Sequence, residues 1–303
     1  MSLRQEIFNV FHQGSLLKKL LFINIGVFVI VQIVLIILKL MRLDSFDWMP
    51  YAALPSNIGT MLVHPWTLLS YMFLHTNFFH ILFNLLCLYW FGTIFLYFLS
   101  PKQLLAVYIF GGLTGALFFI GGYNIFPYFD TLKENSILLG ASASIIAIMV
   151  AVATYSPDFE VQLFLLGRVK LKYIALFIFV MSLVGISSTQ AGSGATENIG
   201  GQLAHIGGAL AGFIFARQLR YGKDITKGFN NLVDKFMALF KRKPVKFKVV
   251  QSSRPKTDDE FLRERKVNEV ELNNILDKIK QSGYSSLSKS EKEWLFSQSN
   301  SNK

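Results

Sequence analysis

One cysteine, Cys87, is all the chain contains, and it lies within an apolar run. That excludes a disulfide framework and any cysteine-based zinc site. Charge is also scarce: Asp, Glu, Lys and Arg make up 16% of the 303 residues, against 52% hydrophobic. This balance argues against an ordinary soluble protein and for a polytopic membrane protein. No Asp or Glu falls inside any of the long apolar runs, which counts against proton or ion conduction and hence against a small-solute transporter or channel. There is no HExxH motif, and no intramembrane carboxylate completes a site around the histidines, so no metal or cofactor is expected. The G-x-S-x-G elbow of soluble hydrolases is not met, because Ser144 stands where its last glycine would be.

What is present is a series of apolar stretches. A span needs about 20 largely apolar residues, and six stretches qualify: Leu20 to Leu38, Phe78 to Phe98, Gln103 to Tyr123, Ile137 to Tyr155, Leu171 to Ile186 and Ile199 to Ala216. The first is long enough to be retained as an anchor. Arg4, Lys18 and Lys19 precede the first span, Arg168, Lys170 and Lys172 lie between the fourth and fifth, and Arg217, Arg220 and Lys223 follow the sixth. In a six-span chain all three sets fall on one side, which by the positive-inside rule is the cytoplasm. Two-thirds of the Lys and Arg lie beyond Ala216, a distribution suited to anionic lipid and not to nucleic acid.

The expected architecture is therefore all-α. It comprises a cytoplasmic N-terminal segment 1–19, a six-helix transmembrane domain 20–217, a basic amphipathic juxtamembrane segment and linker 218–257, and a small helical cytoplasmic appendage 258–303. The loop from Met41 to Trp66, with Phe46, Trp48, Tyr51 and Trp66, reads as partly embedded in the outer leaflet. Phe229, Leu232, Val233, Phe236, Met237 and Phe240 recur at helical spacing, as on a helix lying on the inner membrane face. After a basic linker from Lys241 to Lys256 comes a second helical pattern that Gly283 ends, and Ser288 to Glu291 has the form of a capping box. The tail is expected to anchor at the membrane surface and to dock a cytoplasmic protein partner. The expected location is a bacterial cell (inner) membrane with both termini cytoplasmic.

The polar residues within the spans carry the functional argument. The second, fourth and sixth spans all enter from the outer face, and each has its polar residues near its start. Ser142 and His205 lie about five and six residues in, some 8 to 9 Å deep at roughly 1.5 Å per residue, with His80 and Asn84 at a comparable level. His80 and Asn84 share a helix face, whereas Ser142 and Ser144, about 200° apart, cannot both face His205. Gly140 and Ala141 leave room beside the fourth span. Gly201, Ala204, Gly208 and Gly212 form a small-residue strip on the sixth, the kind that lets helices approach closely. A lone intramembrane serine is most often bonded to a carbonyl one turn back, but intramembrane histidines are rare and usually functional. Acyl transfer by a serine and histidine pair is the chemistry left standing.

These residues resemble the rhomboid family of intramembrane serine proteases. The likeness rests on His75-x4-His80-x3-Asn84, Gly140-Ala141-Ser142 and Ala204-His205-Ile206-Gly207-Gly208-x3-Gly212, and covers roughly Leu20 to Arg217. The resemblance implies a six-helix rhomboid-like bundle with Ser142 as nucleophile and His205 as general base. It further implies an oxyanion hole from His80, Asn84 and the Ser142 N–H, a structural role for His75, and transmembrane protein substrates met within the lipid bilayer. Ala143 stands where the family usually has glycine, Ile146 where some members have tyrosine, and the tryptophan-arginine pair of some first loops is absent. A non-catalytic rhomboid-like protein that binds transmembrane helices is the alternative within the same fold.

Overall fold

A computed structural model describes residues 15–43, 48–163, 167–187, 199–240 and 258–301. Arg4 and most of the N-terminal segment, Phe46, and the linker Lys241 to Lys256 lie outside them. The chain forms two compact units, Met1–Lys241 and Arg242–Lys303.

Among its described residues the first unit contains six main apolar helices: α1 (Leu16–Leu40), α2 (Phe78–Phe98), α3 (Pro101–Ile125), α4 (Ser142–Tyr155), α5 (Leu171–Ser187) and α6 (Ile199–Arg220). Four of them, α1, α2, α3 and α6, are long and apolar enough to cross a membrane. Their ends are set by ordinary capping chemistry. Ser15 accepts from Lys18 N–H, Asn77 accepts from Phe79 and His80 N–H, and Ser100 and Gln103 form a reciprocal capping box before α3. Along α1, Ile30, Ile33, Ile36 and Ile37 are all exposed, an apolar surface that water would penalise and lipid would not.

The fourth span differs from its expected bounds. The apolar run begins at Ile137, but α4 starts only at Ser142. Ile137–Leu138 is instead a strand, β2, paired antiparallel with β1 (Leu54–Pro55) from the first loop. Gly140 then turns with φ +117° and donates its N–H to Tyr71 O at 2.9 Å, a backbone conformation open to glycine and costly for other residues. At 14 residues and about 1.5 Å each, α4 is roughly 21 Å long, against about 30 Å of hydrocarbon. Ten of its residues are buried, so it is a core helix enclosed by its neighbours. Its N-terminus thus lies well inside the fold.

α4 packs chiefly on α6 and α3. A Cβ on Gly208 or Gly212 would run into the backbone carbonyls of Ala143 and Ala147 on α4, so these two glycines set the closeness of the α4–α6 contact. Toward the other face of the unit, β3 (Glu160–Leu163) and β4 (Gly167–Lys170) form a hairpin before α5. There Lys172 and Lys170 hydrogen-bond Asp158 at 2.8 and 3.2 Å, and these contacts hold its carboxyl below the usual carboxylate range.

The amphipathic pattern after the sixth helix forms α7 (Lys227–Phe240). It sits beside the start of α3: Lys102 pairs with Asp234 at 2.6 Å, Gln103 donates to Asp224 at 3.0 Å, and the Phe110 and Phe229 rings lie 5.3 Å apart. The amphipathic segment thus packs within the first unit.

Among its described residues the second unit is a helical pair, α8 (Asp258–Ser282) and α9 (Lys289–Ser301), with Ile275 and Leu287 buried. Gly283, at φ +78°, ends α8. The capping box forms as expected: Ser288 N–H donates to Glu291 at 2.7 Å and Glu291 N–H to Ser288 Oγ at 3.3 Å. Lys278 also hydrogen-bonds Glu291 at 2.9 Å. The lysine contact first, and the Ser288 N–H second, hold the Glu291 carboxyl down to about 2. A carboxylate depressed in the folded state stabilises above its ordinary value of 4.5, and that contribution is lost as pH falls through the folded value. Amide exchange at the start of α9 is therefore expected to quicken as pH drops from 4.5 toward about 2, beyond the intrinsic pH trend. Glu291→Gln should abolish that extra acceleration.

Candidate active site

The short α4 delivers Ser142 as its first residue, where backbone N–H groups have no intrahelical acceptor and the helix dipole favours negative charge. From α6, His205 reaches across the glycine-lined contact, and its Nε2 lies 2.8 Å from Ser142 Oγ. Ser144 points elsewhere. It is buried, and its Oγ has no hydrogen-bond partner among the described residues. Only one of the two serines therefore meets the histidine, as their angular separation requires.

Behind the pair stands a polar cluster from α2 and the turn before it. His75 is fully buried, and its Nδ1 lies 3.2 Å from Phe73 O. A carbonyl only accepts, so Nδ1 carries the proton and Nε2 is left as acceptor. That acceptor faces Asn84 Nδ2 at 3.2 Å and Ala141 N–H at 3.4 Å. His75 thereby ties the backbone just before Ser142 to α2. Asn84 Nδ2 also donates to His80 O at 3.0 Å, so both of its amide hydrogens are engaged. The His80 ring packs edge-on to His75, centroids 5.0 Å apart, and lies over Gly140, where a Cβ would meet its Nε2 at 3.0 Å. Gly140 is thus required twice, by its backbone angle and by the imidazole above it.

The structure brings Ser142, His205, His75, His80, Asn84, Gly140 and Gly208 into one neighbourhood, with Gly212 one turn further along α6. Ala143 is accommodated by α3, because its methyl lies against Gly115, where a second Cβ would collide at 2.7 Å. Among the described residues no three His, Cys, Asp or Glu side chains form a group that could hold a metal ion. One polar neighbour was not anticipated. Ser182 on α5 is buried, with Oγ 3.4 Å from His205 Nδ1. Its signal was available: α5 runs opposite to α4 and α6, so a serine 11 residues into it approaches the level of polar groups near their starts.

A serine hydroxyl within hydrogen-bond distance of an imidazole nitrogen at a helix N-terminus is an arrangement suited to nucleophilic attack. Residues 63–221 match the family model described as the Rhomboid domain. The chain belongs to the rhomboid family. This rhomboid is an integral membrane protein by that membership and by its apolar helices. Residues 256–301 match a second model, a family of unknown function designated DUF6576, and so cover α8 and α9. No curated protein matches the chain.

The Ser144 hydroxyl, without a partner among the described residues, supplies a control. A buried hydroxyl without a partner costs about 1–3 kcal/mol, so Ser144→Ala is expected to unfold at the same or a higher temperature in detergent. It should react with a serine-directed probe at the wild-type rate.

Proposed function

We propose that this rhomboid is an intramembrane serine endopeptidase that cleaves transmembrane segments near the outer membrane face with a Ser142–His205 dyad. The observation that carries the reading is the 2.8 Å contact between Ser142 Oγ and His205 Nε2, placed at the buried start of a helix too short to span. His205 Nε2 takes the hydroxyl proton as Oγ bonds to a substrate carbonyl carbon. The resulting imidazolium then returns that proton to the leaving amine, giving an acyl-enzyme that a water molecule hydrolyses. The Ser142 N–H and His80 are the candidates to receive the oxyanion, one such donor commonly contributing about 3–4 kcal/mol. Asn84 joins them only by releasing His75 or His80 O. Substrate helices enter from lipid and unwind locally, because a helix conceals its carbonyls in i to i−4 bonds. All six apolar segments cross the bilayer in this reading, the fourth as β2 and its turn followed by the short α4, with both termini cytoplasmic in a bacterial inner membrane. α7 lies at the inner surface, and α8–α9 dock a cytoplasmic partner.

One observation favours a non-catalytic rhomboid that only binds transmembrane helices: both Asn84 amide hydrogens are already engaged. Fluorophosphonate labelling of the full chain in membranes separates the two readings. Covalent labelling of wild type at Ser142, with cleavage of at least one single-span substrate, is the expected result. Absence of labelling under conditions where the protein is folded would overturn the protease reading.

A further inference from the structure

We infer that Ser182 is a positioning residue that fixes the His205 tautomer needed to deprotonate Ser142, an inference resting on the serine-hydrolase reading above. Ser182 Oγ lies 3.1 Å from Ile178 O, one turn back on α5, and 3.4 Å from His205 Nδ1. The Ile178 carbonyl can only accept, so the single hydroxyl proton of Ser182 is committed to it. What Ser182 offers His205 is a lone pair. Nδ1 must then carry the imidazole proton, which leaves Nε2 as the acceptor facing the Ser142 hydroxyl at 2.8 Å.

The opposite tautomer would set the Nδ1 lone pair against the Ser182 oxygen and aim an N–H at Ser142 Oγ. In that state Nε2 cannot take a proton. Ser182 thus does for this histidine what a carboxylate does in a triad, with a neutral acceptor in place of an anion. None of the six apolar runs contains Asp or Glu, so no carboxylate within these runs takes that place.

At 3.4 Å the contact is long for a neutral N–H···O bond. It shortens when His205 becomes an imidazolium, because charged donors bond more closely and more strongly. Ser182 therefore contributes more after proton transfer than before it, which places its effect in kcat and not in KM.

The test uses the full chain in bilayers, as wild type, Ser182→Ala and Ser182→Thr. It reads kcat and KM on a single-span substrate, the rate of fluorophosphonate labelling, thermal stability, and the imidazole ¹⁵N shifts of His205. The expected result for Ser182→Ala is a fall of about 3- to 10-fold in kcat and labelling rate. KM should be unchanged, and the Nδ1–H signature should give way to a tautomer mixture. Threonine keeps the hydroxyl and its bond one turn back, so Ser182→Thr restores the rate and the signature.

Wild-type kinetics and an unchanged tautomer in Ser182→Ala would overturn the inference. So would a loss that follows thermal stability and that threonine does not restore, which assigns Ser182 to packing. If the wild type neither cleaves nor labels, the hydrolase reading fails by itself, and the ¹⁵N shifts still decide whether Ser182 sets the tautomer.

Discussion

Ser142→Ala and His205→Ala are each expected to lower cleavage of a single-span substrate by a factor on the order of 10⁴ or more, with expression and folding unchanged. Both side chains are small or partly buried, and neither carries a helix cap. Alanine at Ser142 removes the only hydroxyl that His205 Nε2 meets among the described residues, at 2.8 Å. Alanine at His205 leaves that hydroxyl with no base to take its proton. Because the two act as one unit, the double variant should be no slower than either single one. Product analysis by mass spectrometry on reconstituted protein reads all three. Residual cleavage by Ser142→Ala that disappears only in Ser142→Ala/Ser144→Ala would move the nucleophile to Ser144, against the geometry described above.

The second large effect is expected at Gly208. Its Cα faces the Ala143 backbone so closely that any side chain would strike the carbonyl, and backbone cannot swing aside as a flexible side chain would. Gly208→Leu must push α6 from α4 at the residue next to Ser142. A displacement of 1 Å in a catalytic contact can cost about 10²-fold, and overpacking costs about 1–3 kcal/mol besides. Gly212 makes the same kind of approach one turn away, against Ala147. Gly212→Leu should therefore lower thermal stability about equally, by about 1–3 kcal/mol, while slowing fluorophosphonate labelling much less. Equal labelling losses in the two variants would show that the contact matters for folding alone.

Much of this arrangement was legible before the fold. The apolar stretches gave the helices nearly to the residue for α2, and depth along alternate spans put Ser142 level with His205. The fourth span was misjudged because Ile137–Leu139 is equally apolar as strand or helix. Hydropathy cannot register that Leu54–Pro55, over 80 positions earlier, takes the backbone hydrogen bonds of β2. Ser182 stands apart from the alternate-span pattern because it lies 11 residues into its helix, where an intramembrane serine ordinarily bonds a carbonyl one turn back. That both Asn84 hydrogens are taken depends on how His75, nine residues earlier, turns its ring, and spacing carries no information about that.

The polar pair also has a chronology. Ser142 and His205 are 63 residues apart, and chains emerge N-terminus first at about 5–20 residues per second. For several seconds of synthesis the hydroxyl of α4 therefore exists without its imidazole. The glycines that draw the two helices together arrive after the histidine itself. On the protease reading proposed above, a nascent chain threaded among other newly inserted helices is inert toward them throughout that interval. On that reading reactivity begins only when α6 has taken its place, which makes completion of the fold the activating step.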